Sequence, residues 1–147
     1  MTNVPSWDEY FLIIAHAVSS RAKCTRRRVG AVIVLDRRII ATGYNGAPPG
    51  EKDCLEGACP RGALDYATVP GLGDYDRPGT PGFCIAIHAE VNALLFATRD
   101  TKGSTAYITD PPCPGCRKAL AAAGVVRAVF PGGEYDRPSL TNWADQL

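Results

Sequence analysis

The sequence has almost no net charge, because 16 lysines and arginines are balanced by 15 aspartates and glutamates, which gives a formal charge of +1. A nearly neutral chain has no global attraction for nucleic acid or for an anionic membrane surface. Phosphate contacts along a polynucleotide also require a broad basic face. We therefore expect neither a membrane nor a nucleic acid as the partner of this chain.

Long hydrophobic runs are also missing. The longest apolar stretch, from Phe11 to Val18, is short and contains His16, whereas a bilayer span needs about 20 apolar residues. The beginning of the chain lacks the basic start and the apolar core of a secretory signal. We expect a cytoplasmic, reducing location, in which cysteines favour metal binding or catalysis over disulfides.

The length and composition predict one ordinary globular domain. The chain has 147 residues, of which 46% are hydrophobic and 21% are charged, and these fractions are typical of a soluble protein with its own core. No internal repeat or second domain is visible in the sequence. We therefore predict a single domain over residues 1–147.

Hydrophobic periodicity predicts alternating helices and strands. Ser6 and Glu9 form a capping box ahead of a helix from about Trp7 to about Lys23. The other predicted elements are strands over 29–35, 38–44, 105–109 and 125–130, and helices over 87–98 and 116–123. The order αββαβαβ indicates a mixed sheet covered by helices, and the residues beyond the last strand are expected to form a loop with one short turn.

A long insertion interrupts this pattern from about residue 46 to about residue 84. It is rich in Gly, Pro and Asp and has no sustained hydrophobic period. Long irregular segments are uncommon inside compact domains unless they have a function or are held in place by specific contacts. We expect one of these two reasons to apply here.

Two short motifs carry the chemistry. The tripeptide HAE, which contains His88 and Glu90, is followed after 21 residues by PCPGC, which contains Cys113 and Cys116. One imidazole and two thiolates give zinc three protein ligands and leave the fourth position for water, as a catalytic site requires. Glu90 then acts as general acid and base without being a ligand. This pattern is typical of zinc-dependent nucleobase deaminases.

The CxxC part of the pattern has other interpretations. Alone it also occurs in redox sites and in structural zinc ribbons. The prolines on both sides of Cys113 argue against a thioredoxin-like pair, and no second CxxC completes a ribbon. A noncatalytic zinc-binding interaction module is the alternative from another class of protein. Glu90 argues against that alternative, because a purely structural site needs no acid or base beside an open position.

Four segments resemble those of the deoxycytidylate (dCMP) deaminases, namely VGAVIV, GYNGAPPG, HAEVNALLFA and TDPPCPGC. The resemblance runs from about Ala15 to about Tyr135. HAE and PCxxC are shared by all deaminases of the fold, whereas the segment from Gly43 to Pro48 resembles the dCMP branch. The resemblance implies a cytidine deaminase-like α/β fold, a three-layer α/β/α sandwich with a mixed central sheet. It also implies hydrolytic deamination of dCMP to dUMP, which feeds thymidylate synthesis.

The resemblance also implies substrate-binding residues. Asn45 is expected to hold the sugar or the phosphate, and Tyr135 and Ala89 are further candidates for contacts with the substrate. Arg26 belongs to a basic cluster whose arginine forks suit phosphate oxygens, and the cluster consists of Arg21, Lys23, Arg26, Arg27 and Arg28. The alternatives are that this cluster is a solvated loop and that Asn45 forms a turn before Gly46.

Four cysteines remain after the two motif cysteines are assigned, and they are Cys24, Cys54, Cys59 and Cys84. Some phage and bacterial members of the family carry a second, structural zinc on cysteines that Cys24 and Cys54 resemble. Four thiolates can close a tetrahedral site and tie the insertion to the end of the first helix. The alternative is that all four are buried free thiols. We expect the second zinc.

The family implies further partners and leaves alternatives open. Members are often hexamers that dCTP activates and dTTP inhibits, so a homo-oligomer, as a hexamer or a dimer, and these two effectors are expected. The sequence does not distinguish dCMP from dCTP or a 5-substituted dCMP as the substrate. A tRNA adenosine or guanine deaminase is the alternative within the fold. The low net charge argues against tRNA, and the GYNGAP segment argues against free bases.

Overall fold

One mixed five-stranded sheet organises the chain, in a computed structural model that describes residues 3–65 and 74–146. The strands are β1 (Gly30–Leu35), β2 (Arg38–Tyr44), β3 (Thr105–Ile108), β4 (Arg127–Phe130) and β5 (Gly133–Asp136), in the spatial order β2-β1-β3-β4-β5. The α-helices are α1 (Trp7–Ser19), α2 (Ala89–Leu95), α3 (Pro114–Ala122) and α4 (Arg137–Leu140). Strands β3 and β4 are parallel, and the other neighbouring strands are antiparallel.

The central strand β1 is buried on both faces, and its alternating side chains separate two cores. Val32 and Val34 pack against Phe11 and Ala15 of α1. The alternate residues of the strand, Ala31 and Ile33, enter a second core with α2 and α3. Successive side chains of a strand point to opposite faces, so α1 covers one face of the sheet and α2 and α3 cover the other. This arrangement confirms the predicted three-layer α/β/α sandwich.

Local sequence signals explain how several elements begin and end. The Ser6 hydroxyl caps α1 by accepting from the Glu9 N–H. The predicted extension of α1 to Lys23 is wrong, because the hydroxyls of Ser19 and Ser20 donate to carbonyls three residues earlier and the chain leaves the helix there. Asp36 and Arg37 have positive φ and form the tight turn between β1 and β2.

The C-terminal segment is more ordered than the sequence pattern predicts. Residues expected to form a loop instead form β5, which pairs with β4, and the short helix α4. Arg117 of α3, which is only 1% exposed, holds this segment. Its guanidinium donates to Asp145 and stacks over the rings of Tyr135 and Trp143, and it also donates to the carbonyls of Ser139, Leu140 and Asn142.

The insertion is pinned to the domain at several points along its described part. Gly46 pairs with Ile87 through two backbone hydrogen bonds, which close the base of the insertion. Asp53 forms a capping box with Glu56. The Lys23 ammonium lies 3.7 Å from the Asp53 carboxylate. The Arg61 N–H donates to the Phe83 carbonyl. The expectation that specific contacts hold this segment is therefore met in residues 46–65 and 74–84.

Among the described residues, no helix is long and apolar enough to cross a membrane.

Candidate metal centre

The two sequence motifs converge because each begins a helix on the same face of the sheet. His88 is the N-cap residue of α2, and Cys113 is the N-cap residue of α3. Pro114 occupies the first turn of α3, where its missing N–H costs nothing. Glycine at position 43 lets α2 lie directly on β2, since a Cβ there would overlap the backbone of Ala89 and Ala93.

The three candidate ligand atoms form a compact cluster. The His88 Nδ1 atom lies 3.2 Å from the Cys116 Sγ atom and 3.5 Å from the Cys113 Sγ atom, and all three atoms lie within 4.8 Å of one another. Zinc bonds of about 2.0 Å to nitrogen and about 2.3 Å to sulfur, at tetrahedral angles, place ligand atoms about 3.5 Å apart. The donor set and its spacing therefore fit a zinc ion with one position left for a non-protein ligand.

The hydrogen bonds within the cluster already favour a thiolate at Cys113. The Cys116 thiol is the main donor to the Cys113 sulfur, with His88, Tyr75 and the Cys116 N–H as further donors, and together they lower the pKa of Cys113 to about 3. The same contact with Cys113, together with burial, raises the pKa of Cys116. A cation that replaces the shared proton would convert both cysteines into thiolate ligands.

Glu90 lies beside the ligands in the first turn of α2 and is only 4% exposed. Burial is the main reason that the pKa of its carboxyl group is raised, and the carboxyl group also contacts Cys116. The Glu90 carboxyl group therefore lies beside the candidate ligands without being one of the three. This is the geometry that a general acid and base requires.

Tyr75, in the insertion, is a part of the site that sequence reasoning did not identify. Its ring centroid lies 5.2 Å from that of His88, and Tyr75 lies close enough to Cys113 for the two side chains to interact electrostatically. The sequence around it, GDYDRPG, has no hydrophobic period and no motif that points to the metal. Only the folded path of the insertion brings this ring to the cluster.

Asn45 has a structural role in the basic loop. Its side-chain amide donates to the Arg27 carbonyl at 2.9 Å and accepts from the Val29 N–H at 2.8 Å, and the residue is 8% exposed. Asn45 therefore clamps the loop ahead of β1 to the end of β2. Its contact with the substrate stays a prediction.

The other candidate substrate residues lie in different surroundings. Arg26 donates from its guanidinium to the Arg61 carbonyl at 3.2 Å and so faces the insertion. The Ala89 methyl group is fully buried in the core, which leaves its backbone for any contact. Tyr135 is half-buried on β5, and its ring contacts Phe130 and the Arg117 guanidinium.

The four remaining cysteines come together where the insertion meets the end of α1. Cys84 lies close enough to Cys59, and Cys54 close enough to Cys24 and Cys59, for their charges to interact. Cys54 and Cys59 are buried. Within the described residues, the group whose ligand atoms lie mutually within 4.8 Å is the His88 cluster, and these four cysteines do not meet that spacing.

Comparisons with known proteins agree with this geometry. Residues 5–131 match the model of the family described as cytidine and deoxycytidylate deaminase zinc-binding region. The chain is 51% identical to the deoxycytidylate deaminase of Mycobacterium phage D29, over 86% of this chain and 95% of that protein. It is 41% identical to the deoxycytidylate deaminase of Schizosaccharomyces pombe, over 86% of this chain but 37% of that protein. The crystal structure of dCMP deaminase from cyanophage S-TIM5 in complex with dCMP and dUMP superposes with a TM-score of 0.64 and 29% identity, over 88% of this chain and 83% of that one.

Proposed function

This chain belongs to the cytidine and deoxycytidylate deaminase family, and from this premise we propose that it is a zinc-dependent hydrolase that converts dCMP to dUMP and ammonia. The observation that carries the proposal is the cluster of His88, Cys113 and Cys116 with the buried carboxyl group of Glu90 beside it. A structural zinc site would have a fourth protein ligand. An acid and base next to an open position indicates hydrolysis.

The reaction needs one proton carrier and one bound metal. When bound, zinc supplies a Lewis acid that makes water nucleophilic near neutral pH. Glu90 takes a proton from the water that attacks C4 of cytosine and delivers it to the ring nitrogen N3. It then helps the amino group to leave as ammonia. Glu90 is buried at the start of α2, and its carboxyl group lies beside the candidate ligand Cys116.

Four further residues are assigned to the nucleotide. We assign the sugar and phosphate to Asn45 and Arg26, whose guanidinium fork suits phosphate oxygens. The Ala89 N–H lies in the first turn of α2, where backbone donors have no acceptor within the helix, so this group suits a contact with the substrate. Tyr135 is assigned to a contact with the substrate from the family resemblance alone.

A substrate panel tests the proposed activity. We expect ammonia release from dCMP to exceed that from CMP, cytidine, dCTP and 5-methyl-dCMP, measured on protein of known zinc content. Zinc-depleted protein is the matched control and should be inactive until zinc is restored. A preference for dCTP or 5-methyl-dCMP would move the assignment to another cytosine nucleotide. Zinc-loaded protein that releases no ammonia from any of the five compounds would contradict the proposal.

The insertion carries a second, structural zinc bound by Cys24, Cys54, Cys59 and Cys84. The support for this assignment is that the four thiols are near enough for their charges to interact, where the insertion meets the end of α1. Thiols of this kind become ligands only when they lose their protons. Burial raises the pKa of Cys84 to about 11, so a free thiol there would stay protonated at neutral pH.

Replacing Cys54 by Ser is expected to lower the zinc content from about two ions per chain to about one, because a structural site needs all four ligands. The catalytic zinc on His88, Cys113 and Cys116 should still support turnover of dCMP, since Cys54 belongs to the proposed structural site. Metal analysis by mass spectrometry after dialysis gives the readout, and Ser19→Ala is a control on the preceding helix. A wild-type protein with one zinc per chain would rule out the second site.

The oligomeric state and the effectors are proposed from the family resemblance. We propose a homo-oligomer, as a hexamer or a dimer, with dCTP as activator and dTTP as inhibitor, in the cytoplasm. Adding dCTP and dTTP separately to the dCMP assay tests the effectors. Light scattering of the purified protein tests the oligomeric state.

A further inference from the structure

We propose that Arg117 is a positioning residue that couples the C-terminal segment, residues 133–146, to the catalytic metal centre, so that metal binding and the order of this segment strengthen each other. The inference rests on the proposed zinc centre and gives a role there to a residue outside both sequence motifs. Arg117 directly follows the candidate ligand Cys116 near the start of α3. Its backbone N–H donates to the carbonyl of the other cysteine ligand, Cys113, at 2.9 Å.

The buried Arg117 guanidinium directs all of its N–H donors at the C-terminal segment. An arginine side chain has five such donors in a rigid planar fork, and each has an acceptor here at 2.7–3.2 Å. The acceptors are the carbonyls of Ser139, Leu140 and Asn142 and the two carboxylate oxygens of Asp145. The guanidinium therefore serves as the anchor of this segment.

The contact requires the shape of arginine as well as its charge. Ser139 and Leu140 end α4, and the last carbonyls of a helix have no partner within the helix, so the guanidinium completes the end of α4. It also lies 4.5 Å from the ring centroid of Tyr135 and 4.8 Å from that of Trp143, within the range of a cation–π contact. A lysine ammonium is a compact charge without a planar fork and cannot satisfy these partners together.

The position of Arg117 in the ligand turn links this anchor to the metal. Metal binding would hold Cys113 and Cys116 to His88 and so fix the start of α3 against α2. Arg117 is bonded into that turn through its backbone, so the C-terminal segment then packs on a guanidinium in a fixed place. Coupling between two sites is reciprocal, so the packed segment must raise zinc affinity by the factor by which zinc stabilises the segment. The segment contains Tyr135, which is assigned to the substrate, and its order therefore bears on the proposed reaction.

The test is Arg117→Lys, which keeps the positive charge and removes the planar fork. Amide hydrogen exchange over residues 137–146, measured by mass spectrometry on zinc-depleted and zinc-loaded protein, reports the order of the segment. In the wild type we expect zinc to slow this exchange by about 5–150-fold, the usual range of coupling between two sites. In Arg117→Lys this slowing should disappear, and zinc affinity, measured by competition with a chromogenic chelator, should fall by the same factor.

Two controls assign the effect to this residue and to this metal site. Lys118→Arg is the matched substitution at the next position of α3, where the side chain is exposed, and it should behave as the wild type in both measurements. Cys113→Ser lacks a ligand of the catalytic site, so zinc added to this variant should leave the exchange of residues 137–146 unchanged.

Wild-type protein whose C-terminal exchange does not respond to zinc, or Arg117→Lys protein with the zinc affinity of the wild type, would overturn the proposal. If Arg117→Lys does not fold, Asp145→Asn removes only the negative charge that faces the guanidinium, at a side chain that is 46% exposed. It should reduce the zinc-dependent slowing and the zinc affinity together, and no change in either would count against the coupling. Neither readout requires a substrate, so a protein that fails to deaminate dCMP but shows the coupling would overturn the proposed activity alone.

Discussion

Replacing Glu90 by Gln is expected to reduce the rate of dCMP deamination by about 10²–10⁴-fold, the range that general acid and base catalysis contributes. Glutamine has nearly the same size and fits the same buried position at the start of α2. It cannot accept a proton from water and pass it to the ring nitrogen. The zinc content should stay at the wild-type value, because Glu90 is not one of the three ligands.

The measurement is kcat for ammonia release together with zinc per chain on the same sample. Glu9→Gln is the matched control, because Glu9 is an exposed glutamate in the first turn of α1 and lies outside the site. That control should keep the full rate. A Glu90→Gln enzyme that works at a near-normal rate would show that the proton carrier has been assigned to the wrong residue.

Replacing Cys113 by Ser is expected to remove the catalytic zinc and with it all detectable turnover. Cys113 has two roles, since its sulfur is a candidate ligand and also caps α3 by accepting from the Cys116 N–H. Serine is a good N-cap residue, so the helix should still begin at the same place. The substitution therefore removes the soft thiolate ligand while keeping the helix start.

Zinc analysis and the melting temperature separate these two roles. The variant should contain one zinc fewer per chain than the wild type, and once all zinc has been removed from both proteins their melting temperatures should be equal. A lower melting temperature than the depleted wild type would indicate that the helix cap, rather than the metal, is lost. Wild-type zinc content in Cys113→Ser would remove Cys113 from the ligand set.

The grouping of His88, Cys113 and Cys116 was predictable because the information in each motif is local. His88 and Glu90 are two residues apart and Cys113 and Cys116 three apart, so each pair has a fixed relation to the start of one helix. The continuous hydrophobic run of β1, which is buried on both faces, and the turn at Asp36 follow from short-range rules in the same way. The strand β5 was missed because its residues are mostly exposed and show no hydrophobic period.

The sequence by itself determined the family, the zinc chemistry, the order of the predicted helices and four of the five strands, because each rests on residue types at short spacings. Only the tertiary structure decided that Tyr75 packs against His88, that the Asn45 side chain holds the Arg27 loop and that Arg117 anchors the C-terminal segment. These contacts join residues that are 13 to 28 positions apart. Such pairings depend on how irregular chain segments pack after the sheet has formed, and no local pattern records that path.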